Sequence, residues 1–194
     1  MNSVCGLALS ALTLLPAVGI AAPDPIRGDF RVDARPDDGD ALGPSVSADS
    51  AGNFIVVWLA DGHMFARQFD PSGAPVTEQI PVDPVEAGVT VEYPRVVMRP
   101  KGDWAYFIYG RESGDGEHVM IRRYRPRLHR IIGRPVQMDT GIGEAMNPNL
   151  AIDPRGKRLG VVWATTDAPK VVYFRTLTRS GKGDRKSTRL NSSH

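Results

Sequence analysis

The sequence predicts an all-β chain that repeats one small antiparallel sheet, and three observations carry that expectation. The stretch Pro44–Trp58, PSVSADSAGNFIVVW, returns in altered form as Pro94–Tyr109, PRVVMRPKGDWAYFIY, and as Pro148–Trp163, PNLAIDPRGKRLGVVW. Each copy opens on Pro, turns on a Gly (Gly52, Gly102, Gly156) and runs through apolar residues to an aromatic (Trp58, Tyr109, Trp163), the mark of a repeat architecture. The copies start about fifty residues apart, which is room for four short strands and too little for a domain. Glycine and proline number 20 and 16, as many short strands joined by tight turns require.

In the first unit, strand A is expected over Ser45–Ala48, where Val46 and Ala48 alternate with Ser45 and Ser47. The turn Asp49-Ser50-Ala51-Gly52 leads to strand B, Phe54–Trp58, a continuous apolar run suited to a strand buried on both faces. Asp61-Gly62 turns the chain into strand C, Met64–Phe69. Asp70-Pro71-Ser72-Gly73 turns it again, with Pro and Gly where a type I turn followed by a left-handed residue wants them. Strand D follows over Val76–Val82, with Pro81 at a sheet edge. Strand C returns as Val119–Tyr124 and Val171–Leu177, which places Arg67, Arg122 and Arg175 in register.

Strand D ends in a short signature, Ile80-Pro81-Val82-Asp83 and then Val136-Gln137-Met138-Asp139, and Phe30-Arg31-Val32-Asp33 carries it ahead of the first strand A. A sheet this small needs neighbours on its faces, with Trp58, Tyr109 and Trp163 as the fillers between sheets. The expected architecture is an incomplete β-propeller: about three four-stranded antiparallel blades (44–83, 94–139, 148–177) plus an orphan N-terminal strand. A β-sandwich is the alternative. The orphan strand, and a third unit with A, B and C but no D, mark an N-terminal fragment with at least one more blade downstream and an exposed edge on its third blade.

The pattern Pro-x-Val-Ala-x-Asp-x-x-Gly-x-Phe-Val-Val-Val-Trp, followed at most positions by Pro44–Trp58, resembles that of secreted bacterial β-propeller repeat proteins over residues 30 to about 180. The resemblance implies fold and export more than activity. Two enzymatic boxes of other propellers fit poorly. Ser47–Gly52 is similar to the sialidase box but has one residue too many and lacks its Thr. Ala151–Lys157 is similar to the quinoprotein dehydrogenase docking motif, but Asp153 stands too close to Gly156 and Trp163 comes late. Asp49 and Asp153 are expected to cap their own turns.

The two ends read differently from the body. Val4–Ala22 is apolar and closes on small residues, with Gly19 and Ala21 at the −3 and −1 positions of a cleavage before Ala22. Residues 1–21 therefore read as a signal peptide, the alternative being an uncleaved anchor. The single cysteine, Cys5, lies in that leader, so the propeller segment 29–183 has no disulfide and no Cys-based metal site. From Asp184 the string DRKSTRLNSSH is polar and unrelated to the repeat; residues 184–194 resemble a translated sequencing adapter and are expected to be an artefact outside the fold. They hold Arg185, Lys186 and Arg189 against Asp184, which accounts for the whole net charge of +2. The body is neutral, and no nucleic-acid partner is expected.

Function is expected where the copies differ, in their loops. Antiparallel strands put the D–A and B–C loops at one end of every blade and the A–B and C–D loops at the other. The first end gathers the candidate ligand-facing residues Asp37, Asp38, Asp40, Glu86, Glu92, Asp115, Glu117 and Glu144; the second gathers Arg99, Lys101, Arg125, Arg127, Arg155 and Lys157. Segregated fields of this kind steer partners. The in-register arginines either clamp a carboxylate or pair with Asp83 and Asp139. His63, His118 and His129 follow no metal motif, no nucleophile–base pair is legible, and no catalytic residue, metal or cofactor is assigned. Calcium is the one cofactor alternative, though Arg35–Asp40 lacks the alternating oxygens of a calcium loop. The expectation is a secreted or periplasmic propeller acting as a binding or scaffold module for an unknown protein or glycan, monomeric at full length and touching a membrane only through an uncleaved leader. The alternative is a carbohydrate-active or other hydrolytic propeller enzyme whose active site lies partly in further blades.

Overall fold

A computed structural model of the chain describes residues 28–33, 40–84, 86–140, 143–178 and 188–190. These form three four-stranded antiparallel sheets in chain order. Blade 1 holds β1 (Ala41–Ala48), β2 (Phe54–Ala60), β3 (His63–Phe69) and β4 (Ile80–Pro81). Blade 2 holds β5 (Thr90–Met98), β6 (Ala105–Ser113), β7 (Gly116–Arg125) and β8 (Arg130–Gln137). Blade 3 holds β9 (Ala145–Ile152), β10 (Arg158–Thr165), β11 (Val172–Thr178) and β12 (Thr188–Leu190). The first strands β1, β5 and β9 touch one another in succession, so the blades fan out from the axis those strands line. The architecture is an incomplete β-propeller.

The repeated prolines have a backbone reason. Gly43, Tyr93 and Asn147, each directly before one of them, have φ of 57°, 52° and 51°. A left-handed residue there makes a bulge: pairing skips from Leu42 to Ser45 in β1, from Glu92 to Arg95 in β5 and from Met146 to Asn149 in β9. Proline cannot donate to a ladder and disfavours the helical region for the residue before it, so the break falls where it costs least. Each strand A therefore runs on past its proline, and begins earlier than the alternation from Ser45 suggests.

Burial follows from who has neighbours. In β6 every residue from Ala105 to Gly110 is buried, whereas β2 and β10 bury mainly alternate residues. The two-sided burial expected for Phe54–Trp58 is thus corrected: Phe54 and Val56 are only half-buried, because blade 2 alone has a described blade on each side. One core lies between blades 1 and 2 (Ile55, Val57, Met64, Phe107, Tyr109) and another between blades 2 and 3 (Tyr106, Ile108, Val119, Leu159, Trp163). Tyr109 and Trp163 fill the inter-blade spaces. Trp58, at the equivalent position, stacks on Phe65 and lines a hollow with Val32 and Asp33.

Residues 30–33 sit in the orphan strand's place without ladder pairing. Arg67 Nη1 donates to the Val32 carbonyl at 3.1 Å, and Arg122 donates likewise to the Val82 carbonyl one blade on. Arg67 and Arg122 therefore grip the backbone of the preceding D signature, which corrects both roles expected for these two. Arg175 lies over the Trp163 ring, 5.4 Å from its centroid. Strand D itself is cut to Ile80–Pro81 in blade 1. In blade 3 the fourth place is taken by β12, with Arg189 opposite Tyr173 as Pro81 is opposite Phe65. The open third-blade edge expected from the sequence is corrected accordingly.

Candidate functional site at the acidic end

The bulge before Pro94 builds the centre of this end. It sets Glu92 opposite Gly110 and leaves Tyr93 out of the ladder. Gly110 keeps the place open: a Cβ there would lie 3.2 Å from Glu117 Oε1 and 3.3 Å from the Tyr93 ring. Glu112 and Glu117 stand directly opposite one another across β6 and β7, a like-charge pairing that costs stability. Glu144 reaches in from blade 3, and a Cβ on Gly116 would lie 2.6 Å from its Oε1. Threonine hydroxyls hold the rim, Thr166 donating to Glu144 at 3.2 Å and Thr90 to Glu112 at 3.3 Å. Beside the cluster opens a cavity of about 720 Å³, whose lining includes Asp40, Leu42, Leu59, Asp61, Thr90 and Glu92.

Crowding shows in the protonation equilibria. Burial, then the charges of Glu92, Glu112 and Glu144, push the Glu117 carboxyl above its ordinary range. One of its oxygens is buried without a hydrogen-bond partner. Burial and a hydrogen bond with Glu92 raise the Tyr93 hydroxyl. A carboxyl raised in the fold destabilises it once ionised, at pH above the unfolded value of about 4.3. Glu117→Gln is therefore expected to stabilise the protein at neutral pH by less than about 1 kcal/mol, since the residue is only half-buried and partly screened. The gain should vanish below about pH 4, as urea unfolding at the two pH values would show.

Of the carboxylates expected to face a ligand, Glu92, Glu117 and Glu144 come together here and Asp40 lines the cavity. Glu86 is instead held by Arg111, Nη2 to Oε2 at 2.6 Å. Asp115 accepts from Ser113 Oγ at 2.5 Å, which lowers its carboxyl, and lies 3.7 Å from His118 Nε2. Asp37 and Asp38 lie outside the described residues, as does most of the loop Arg35–Asp40. The expected site residues omitted Glu112, Tyr93 and the two glycines. A signal was present for Tyr93, which stands before its proline where the other copies carry Gly43 and Asn147.

The histidines also have a role that spacing alone did not show. Asp83 bonds His63 Nδ1 at 3.0 Å and accepts from Met64 N at 2.7 Å, while Asp139 bonds His118 Nδ1 at 2.9 Å. These pairs latch each D signature onto the start of strand C. The hydrogen bond to Asp139 raises the His118 pKa. Stability from a raised histidine is complete below the unfolded value of about 6.5 and is lost as pH rises through the folded one. His118→Gln should lower stability most in mild acid and flatten the fall in thermal midpoint above neutrality; a wild-type midpoint that rises over that range would contradict this.

At the opposite end much of the basic charge is structural. Arg99 is buried, 2.6 Å from Asp103 and donating to the Gly156 carbonyl at 2.7 Å. The Arg125 guanidinium lies 3.8 Å from the centroid of the Trp104 ring. Asp49 caps its turn by accepting from Ala51 N and Asn53 N, and Asp153 from Lys157 N and Arg158 N. Among the described residues no three His, Cys, Asp or Glu side chains are placed to hold a metal ion. Nor is any helix among them long and apolar enough to cross a membrane.

No family model and no curated protein matches the chain. Solved structures do, at low identity. A eukaryotic initiation factor matches with TM-score 0.52 and 15% identity, over 85% of this chain and 35% of its own. The endo-arabinase of Bacteroides thetaiotaomicron VPI-5482 matches with TM-score 0.50 and 16% identity, over 79% and 63%. A glycoside hydrolase matches with TM-score 0.53 and 9% identity, over 80% and 37%. The chain thus spans between about a third and two thirds of these structures. Such identities speak to fold alone.

Proposed function

We propose that the chain is an exported propeller module that binds a ligand, protein or glycan, at its acidic end, on the channel side of blades 1–3. The observation that carries this reading is the convergence of Glu92, Glu112, Glu117 and Glu144 around a left-handed tyrosine beside a cavity of about 720 Å³. Strain and unpaired charge of this kind reduce stability, and they gather where a site is built. Export rests on the leader read over residues 1–21. The test is retention on a glycan array and on immobilised extracellular protein fractions, with wild type beside a Glu92→Gln, Glu117→Gln double variant. Binding at least about tenfold weaker in the variant is expected, worth about 1.4 kcal/mol. Equal binding, or no binding by wild type, would sink the acidic-end reading.

A hydrolytic reading draws on one specific feature. A Glu117 carboxyl held above its usual range beside other carboxylates is the division of environments from which acid–base pairs are made. Release of chromophore from aryl glycosides, lost in Glu117→Gln, would favour it over simple binding.

A further inference from the structure

We infer that the end of the propeller opposite the acidic one is a docking surface for an acidic polysaccharide, carried by the turns of blades 2 and 3. The three turns between first and second strands abut there. Ser50 N donates to the Pro100 carbonyl at 2.9 Å, and Arg99 Nε to the Gly156 carbonyl at 2.7 Å. Arg127 Nη2, on the turn Pro126–Leu128, donates to the Lys101 carbonyl at 3.3 Å. These bonds gather Lys101, Arg127, Arg155 and Lys157 on one surface, and all four are exposed. Arg130, also exposed, stands directly opposite Arg125 across β7 and β8. That like-charge pairing costs stability, as the pairing of Glu112 with Glu117 does at the far end.

The carboxylates that could neutralise these cations are engaged within their own turns. Asp49 accepts from Ala51 N, Asn53 N and Asn53 Nδ2, and Asp153 from Lys157 N and Arg158 N. Asp103 is held by the buried Arg99 at 2.6 Å. Among the described residues, no ion pair reaches Lys101, Arg127, Arg130, Arg155 or Lys157. Arg125 is positioned by the Trp104 ring instead of a carboxylate, 3.8 Å from its centroid, so little of its freedom is left to lose on binding. The chain's body is neutral, and this excess of positive charge is local.

Cations spread over adjoining turns suit an anion repeated along a polymer, because contacts that are weak singly act together. Arginine takes a carboxylate through two parallel hydrogen bonds. The surface fits other anionic partners less well. A single-stranded nucleic acid stacks its bases on open aromatic faces, and Trp104 gives its face to Arg125, with Arg123 5.8 Å from the same centroid. A bilayer takes up apolar side chains, and beside these cations the one large apolar side chain exposed is Leu128. The inference is independent of the ligand at the acidic end, and the failure of either reading leaves the other standing.

The test is isothermal titration of the whole chain with heparin and with polygalacturonate, which separates recognition of sulfate from that of carboxylate. Binding to at least one is expected, weakening at least about tenfold between about 50 and about 200 mM salt as counterions are released and charges screened. The double variants Arg127→Gln, Arg130→Gln and Arg155→Gln, Lys157→Gln should each weaken it at least about tenfold at the lower salt. Lys157→Gln alone should weaken it more than Lys170→Gln, which removes the same charge from an exposed position at the acidic end. Retained β circular dichroism in each variant excludes unfolding as the cause. No binding to either polysaccharide at about 50 mM salt would overturn the proposal, as would equal losses in Lys157→Gln and Lys170→Gln. Tighter binding to duplex DNA than to both polysaccharides would replace it with a nucleic-acid surface. Tighter binding to phosphatidylglycerol vesicles, lost in Leu128→Ser, would replace it with a membrane surface.

Discussion

Replacing Tyr109 by alanine is expected to cost about 3–5 kcal/mol, the range for emptying an aromatic site in a packed core. The side chain is fully buried in the core between blades 1 and 2, among Ile55, Met64 and Phe107. Such a ring removes about 150–250 Å² from water, worth a few kcal/mol at about 25 cal/mol per Å². Its neighbours are strands of two different sheets, which cannot both move in to fill the space. Tyr109→Phe separates ring from hydroxyl. That hydroxyl is buried without a hydrogen-bond partner, and burial pushes its pKa far up. Removing an unsatisfied buried polar group while keeping the shape is nearly neutral or stabilising. The phenylalanine variant should therefore unfold at the same denaturant concentration as wild type or a higher one. An alanine cost under about 1 kcal/mol would show that the blades are not held together by this ring.

The same ring shows how far the sequence could be read. Position in the repeat is enough to place Trp58, Tyr109 and Trp163 on one face of strand B, since a period of two fixes the face once the turn is known. It is not enough to say what covers that face, because cover comes from a neighbouring sheet some fifty residues away. Phe54–Trp58 thus reads as buried on both sides, yet only Ala105–Gly110 is. The acidic end was legible as a charge count but not as a geometry. Glu86 and Glu92 look alike in sequence; Arg111 claims the first, and the bulge before Pro94 delivers the second to Glu117. Histidine spacing carries no metal signal, and it hides the bond between His63 and Asp83, residues twenty apart that meet across two strands.

That bond carries the second large effect. The Asp83 side chain is 2% exposed and accepts from His63 Nδ1 at 3.0 Å and from Met64 N at 2.7 Å. Hydrogen bonds to a charged group contribute about 1.5–3 kcal/mol each, and a buried amide left without an acceptor costs about 1–3 kcal/mol. Asp83→Ala is accordingly expected to lose about 2–4 kcal/mol, and Asp83→Asn less, because the amide oxygen still serves Met64 N. The loss should be local before it is global. β4 has only two residues paired to β3, so Asp83 and the Val82 N to Met64 carbonyl bond at 2.8 Å are much of what fixes the end of blade 1. Hydrogen exchange should therefore show the Val82 amide losing protection by at least about tenfold in Asp83→Ala, while the Phe107 and Ile108 amides in β6 keep theirs. The chain from Asp83 runs on to Thr90 and Glu92, so the binding proposed above for the acidic end should weaken together with that protection. Unchanged exchange at Val82 would mean that the buried Val82 side chain, not the latch, anchors this segment.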